Sequence, residues 1–135
     1  SLLPGSAAPP PFEEPALLLK QILLFIRRSY SESVSLDDIA SYVHLSRSEC
    51  CRRFHRLTGQ PLFRYLMQYR IDKSIELLLS TDRKISDIAA AVGFSGQSYY
   101  TACFRKQKSV TPGQFRRMRR TAAGRHVAVS EAGDI

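Results

Sequence analysis

Tryptophan is absent from the 135 residues, methionine occurs only twice, and acidic side chains are scarce, with 12 Asp and Glu against 20 Lys and Arg. The net charge of +8 excludes a balanced surface. Excess positive charge on so short a chain fits a polyanionic partner, because neutralising phosphates releases condensed counterions. A basic protein without such a partner would show the same balance. Long apolar runs are missing as well. Nothing approaches the roughly 20 residues that span a bilayer, and the densest stretch, Leu17 to Ile26, is broken by Lys20 and Gln21. The start of the chain, with Pro4, Pro9, Pro10 and Pro11, has neither the basic opening nor the apolar core of a signal peptide. A cytoplasmic protein without membrane contact is expected.

Groups that could carry chemistry are also thinly spread. Cys50, Cys51 and Cys103 have no metal-ligand spacing and make no even disulfide framework, and His44, His55 and His126 are scattered. There is no Ser/His/Asp set, no carboxylate pair suited to a cleft and no glycine-rich phosphate loop. Neither a metal nor any other cofactor is expected, and no enzyme activity.

What the chain does have is helical periodicity on an ordinary apolar content of 44%. Residues 1–12, rich in Pro, Ala and Ser, read as a flexible linker that follows an N-terminal sensor domain outside this chain. A folded domain is expected over 13–120, and a loose tail over 121–135, where periodicity fades. Glu13 to Tyr30 places Leu17, Leu18, Ile22, Phe25 and Ile26 at helical spacing, acids first and Arg27 and Arg28 last, as the helix dipole favours. Ser35 to Asp38 has the form of an N-terminal cap, and Ser46 to Glu49 that of a capping box. The longest helix is expected over 61–80, with Leu62, Tyr65, Leu66, Tyr69 and Leu78 on one stripe. A short helix follows from Ile85 and is closed by Gly93. Ser95 is expected to cap the next helix, which runs to about Lys108. Thr111 to Gln114 is a third capping box, with Pro112 at the first helical position, where its missing N–H costs nothing. No apolar alternation marks a strand, so the fold class is all-α.

The informative feature is a repeat with an offset of about 50 residues. Ile39, Ala40, Val43, Leu45 and Ser46 recur as Ile88, Ala89, Val92, Phe94 and Ser95. Further on, Phe54, Gly59 and Tyr65 match Phe104, Ser109 and Phe115 after one inserted residue. Each copy reads as a short helix, a tight turn and a longer basic helix. Ala40 and Ala89 stand where two helices cross closely. Gly93 suits a turn with positive φ, and its counterpart His44 tolerates that conformation less well. Phe54 and Phe104 anchor the second helix of each copy. Two ordered copies make a tandem helix-turn-helix, about 35–59 and 85–109, with a linker helix at 61–80 and a final helix at 112–120.

These residues resemble the two-unit DNA-binding domain of the AraC/XylS family. The resemblance is densest from Ile85 through Gly93 to Tyr100, then at Phe104 to Lys106, Thr111, Pro112, Phe115 and Arg116, and it includes the stretch Tyr69 to Leu78. It covers about 80 of the 135 residues. It implies seven helices, in two three-helix lobes joined by the long one, and a bacterial regulator, in most cases an activator, that binds double-stranded DNA. RNA polymerase and the protein's own N-terminal sensor or dimerisation domain are further partners it implies. Independently, about 20 residues at about 1.5 Å each span about 30 Å, close to the roughly 34–36 Å between major-groove faces one turn apart.

The resemblance places base reading in the first unit at Ser48, Cys51 and Arg52. The Arg52 guanidinium suits guanine O6 and N7 together; a phosphate contact and a surface salt bridge are the alternatives. Glu49 is expected to complete the capping box rather than to read cytosine. In the second unit Gln97, Ser98 and Tyr99 lie at the exposed helix start, with Thr101 and Ala102 one turn on. Ala102 aligns with Arg52, at a position where the family often has arginine, so the first unit is expected to carry more of the sequence reading. Ser109 stands where the family usually has glycine, which leaves that helix end open. Backbone contacts are expected from Arg47, Arg56, Thr101, Arg105, Lys106, Lys108 and Arg116, with Arg117, Arg119 and Arg120 in the same basic set. A thiol switch at Cys50 and Cys51 is the less favoured alternative, because helical neighbours point about 100° apart.

Overall fold

The computed structural model describes residues 14–122, and within them every regular element is helical. In chain order they are α1 (Glu14–Ser29), α2 (Leu36–Tyr42), α3 (Arg47–Thr58), α4 (Leu62–Ser80), α5 (Ile85–Ala91) and α6 (Gln97–Lys108). A seventh, α7, covers 112–122. The linker expected over 1–12 and all but the first two residues of the expected tail lie outside the described residues; Thr121 and Ala122 are still helical.

The chain forms two units, and α4 contributes to both. The first contains α1, α2, α3 and the start of α4 to Leu66; the second takes α4 from Met67, then α5, α6 and α7, together with Ser31 to Ser33.

In the first unit, α1 packs on α2 and α3. Leu18, Ile22 and Ile26 turn inward, whereas Leu17 stays exposed at the edge of the stripe. Ile39, Ala40, Cys50 and Phe54 complete the core, and Ala40 is only 2% exposed, as the close crossing of α2 and α3 requires. Phe25 stacks on Tyr42 with ring centroids 4.6 Å apart, and Phe54 meets Tyr65 at 5.6 Å. α2 starts in a full capping box: Ser35 Oγ accepts from Asp38 N, and Ser35 N donates to the Asp38 carboxylate at 2.9 Å.

In the second unit, Ile88, Ala89, Val92 and Phe94 are buried beneath α6 residues Tyr100 and Phe104. Edge-on and tilted rings link Phe94, Tyr100, Phe104 and Phe115 in series. α7 begins in the box expected at Thr111, where Thr111 and Gln114 exchange two hydrogen bonds. The two copies differ in depth: Val43 and Leu45, expected in the core, are half-buried, whereas Val92 and Phe94 are buried. α4 buries Leu62, Leu66 and Leu78 as its stripe implied. It also buries Met67, Arg70, Ile71 and Ser74, so its apolar side is broader than that stripe.

Candidate nucleic-acid interface

α3 and α6 are the second helices of the two repeats, and their ends show how each is held. The turn before each has a residue at positive φ, His44 at 60° and Gly93 at 97°. Each helix also ends on a left-handed residue, Gly59 at 79° and Ser109 at 69°. Ser109 thus stops α6 as Gly59 stops α3, with its N–H bonded to Arg105 O at 2.8 Å.

The helix starts are not alike. Ser46 caps α3 by accepting from Glu49 N at 3.2 Å. For α6 the cap is Gly96, without a side-chain hydrogen bond. This corrects the expectation for Ser95. α2 begins at Leu36 and α5 at Ile85, whereas α3 begins at Arg47 and α6 at Gln97. The inserted residue therefore lies inside the second turn, and Ser95 sits one place too early to reach the orphan N–H groups of α6.

On α3, Ser48, Arg52 and Arg56 are exposed and Cys51 is half-buried beside them. Glu49 does not close the capping box expected of it. Its carboxylate runs along the helix instead, accepting from Arg53 Nε at 2.6 Å and from Arg52 Nη2. Two cations three and four residues ahead attract it more than the single Ser46 N–H behind. The Arg53 hydrogen bond does most to hold the Glu49 carboxyl below its ordinary value, partial burial opposes it, and Arg52 adds to the lowering. Arg52 remains 60% exposed at its side chain while held this way. The fully buried Cys50 thiol is pushed up to about 11 by desolvation and then by neighbouring Cys51. It stays protonated and out of reach, contrary to what a redox switch needs.

On α6, Gln97, Ser98 and Ala102 are exposed and Thr101 is half-buried. Tyr99, grouped with them from sequence, is tethered to its own unit. Its ring meets Phe94 edge-on at 5.6 Å, and its hydroxyl points to Met67 Sδ at 3.8 Å. At 43% exposure Tyr99 still presents a good part of its surface to a ligand. Arg105 and Lys106 are exposed near the helix end, and Lys108 lies 3.9 Å from Asp72. In the first unit Arg47 lies 4.0 Å from Asp37, an exposed and weak pair.

Arg116, expected to contact the DNA backbone, has partners within its own unit. Its guanidinium donates to the carbonyl oxygens of Leu78, Thr81 and Arg83, and Arg120 donates to those of Leu78 and Thr81 and to Asp82. Both arginines finish the end of α4, where carbonyls have no helical donors of their own. Arg119 lies over the Phe115 ring at 5.2 Å. Arg117 is exposed.

A buried alanine at each helix crossing, a left-handed residue in each turn and a second helix that keeps its polar face outward define a helix-turn-helix nucleic-acid-binding protein. A helix-turn-helix domain family matches residues 39–118. A relative from Bacillus subtilis, the uncharacterised HTH-type transcriptional regulator YdeC, is 39% identical over 100 residues, 74% of this chain and 34% of that protein. A transcriptional regulator with an AraC-type DNA-binding domain from Chromobacterium violaceum superposes with a TM-score of 0.70 at 29% identity, over 77% of this chain and 93% of that one. The DNA-binding domain of the global transcriptional factor AdpA, solved with a target DNA, has a TM-score of 0.72 at 24% identity, over 78% and 94%, and so shows the shared fold. The chain belongs to the AraC/XylS family of bacterial transcription regulators, as a DNA-binding domain. It spans from about a third to three fifths of the length of the curated relatives it matches. Among the described residues no helix is long and apolar enough to cross a membrane, and no cluster of His, Cys, Asp and Glu is arranged to hold a metal ion.

Proposed function

We propose that both recognition helices bind one promoter site, that α3 does most of the base reading, and that the outcome is activation. The observation that carries this reading is the contrast at one position: Arg52 stands exposed on α3 where α6 has Ala102. An arginine can meet guanine O6 and N7 with two donors, whereas alanine offers only a methyl contact to thymine. Ser48 and Cys51 flank Arg52 as further readers. Gln97 and Ser98, at the start of α6, add a weaker preference, and Gln97 suits adenine N6 and N7. Arg47, Arg56, Thr101, Arg105, Lys106 and Lys108 serve as phosphate contacts that position the protein without specifying sequence. Arg116 is the weaker member of that set, because three of its five donors are used within its own unit.

The chain works as a binding module, with no catalytic step. It acts in the cytoplasm beside RNA polymerase, and a sensor or dimerisation domain elsewhere in the full protein governs it. Selection of bound sequences from a random duplex pool tests the reading, followed by titration of the enriched site at two salt concentrations. Two motifs about ten base pairs apart, with Arg52→Ala relaxing one strongly and Gln97→Ala the other mildly, are the expected result. Salt-sensitive binding without an enriched sequence would remove the base-reading assignments while leaving the phosphate contacts.

A further inference from the structure

Glu49 joins the two arginines that follow it on α3. Oε2 accepts from Arg53 Nε at 2.6 Å, and Oε1 accepts from Arg52 Nη2. Exposure falls from Arg52, at 60%, to Arg53, at 36%, and Glu49, at 28%. The carboxylate is thus anchored on its inner side by the less exposed arginine and holds the more exposed one on its outer side. An arginine on an open helix face samples many rotamers and must give them up to meet two base acceptors at once. A carboxylate that already takes one Nη2 hydrogen removes that freedom before contact, and the second Nη2 hydrogen with the neighbouring Nε or Nη1 still forms a two-donor edge. The second unit supplies a comparison within the same chain. Counted from the aligned caps Ser46 and Gly96, the positions of Glu49, Arg52 and Arg53 are taken by Tyr99, Ala102 and Cys103. All three members of the relay are replaced together, as expected of residues that act as one device.

We infer that Glu49 is a specificity-determining residue of the first unit, positioning Arg52 for a guanine in the major groove without itself touching DNA. This rests on the base-reading role proposed for Arg52. A purely repulsive role, in which the carboxylate only weakens phosphate attraction, has the opposite signature. Removing it would then raise affinity for every duplex alike and leave base preference intact.

The test uses the whole chain and the duplex selected by it, with the guanine opposite α3 replaced in turn by each other base. Dissociation constants are measured for the unaltered protein, Glu49→Gln, Arg52→Ala and the double variant. Glu49→Gln keeps the side chain's size and the Ser46 cap, so folding is not at stake. The unaltered protein is expected to prefer guanine by about tenfold or more. Glu49→Gln should lose most of that ratio, about fivefold, without weaker binding to unrelated duplex. The double variant should match Arg52→Ala, because neighbours that act as one device are not additive. If Arg52→Ala abolishes the preference and Glu49→Gln keeps it, Arg52 reads guanine unaided and the inference about Glu49 is overturned. If Arg52→Ala leaves the preference intact, the reading of Arg52 falls and the inference falls with it.

Discussion

Arg116 Nε donates to the carbonyl oxygen of Leu78 at 2.9 Å, across 38 positions of the chain. With its bonds to Arg83 and Thr81 at 2.8 and 3.2 Å, it fastens α7 to the end of α4. Arg116→Ala is expected to destabilise the protein by about 1–2 kcal/mol, since three charge-assisted bonds are lost and Arg120 alone still donates to the Leu78 and Thr81 carbonyls. Arg116→Lys should recover only part of this, because an ammonium lacks the planar fork that reaches three acceptors. Arg117→Ala, on the exposed face, should cost less than about 0.5 kcal/mol. Urea denaturation separates these cases, and equal midpoints for the two alanine variants would show that Arg116 is not an anchor.

The left-handed helix ends give a second, opposed pair of expectations. Ser109→Gly should stabilise the protein by about 0.5–1 kcal/mol, since glycine adopts φ near the observed 69° without penalty. Gly59→Ala should destabilise by about 1 kcal/mol although no atom lies within 4 Å of the added Cβ, because the cost lies in the backbone at φ 79° rather than in a clash. Thermal unfolding of both variants checks the signs. A neutral Gly59→Ala would mean that α3 can end in another conformation.

These cases also mark what the sequence made legible. The bounds of α4, the boxes at Ser35 and Thr111 and the positive φ expected at Gly93 and conceded to His44 depend on residues a few places apart, and the structure agrees with them. The Ser46 pattern was ambiguous in kind. The same glutamate can turn back to a cap or forward to arginines, and only the full set of neighbours decides it. Ser95 misled because the repeat places one inserted residue somewhere in the second copy without saying where. Arg116 was beyond local reading, since its acceptors lie more than thirty residues away, and composition alone made it one more surface cation. Which residues touch DNA bases rests on exposure and resemblance together.

Tyr100 is fully buried, and its hydroxyl finds no hydrogen-bond partner among the described residues. Ser74 lies alongside but gives its own proton to Ile71 O at 2.7 Å. Desolvation pushes the phenol up to about 12, with Ser74 and Arg116 pulling the other way. A phenol raised in the folded state leaves stability intact below its ordinary value near 10 and erodes it as pH rises through about 12. Tyr100→Phe is therefore expected to be neutral or up to about 1 kcal/mol more stable at neutral pH, and to lose less stability between pH 10 and 12. Unfolding free energies across that range decide the matter. A marked loss at neutral pH would reveal a partner for the hydroxyl.

Each repeat has one glycine and one ordinary residue at its two left-handed positions, and the two repeats distribute them in opposite ways: His44 and Gly59 in the first, Gly93 and Ser109 in the second. What the copies share is therefore a backbone path, with neither site reserved for glycine. A lineage carrying this domain can drift at either site, trading a little stability for side-chain freedom, while the helices keep their places. A motif defined by its glycines would recognise each copy only in half, and kinship between the copies is better traced through their dihedral angles than through their letters.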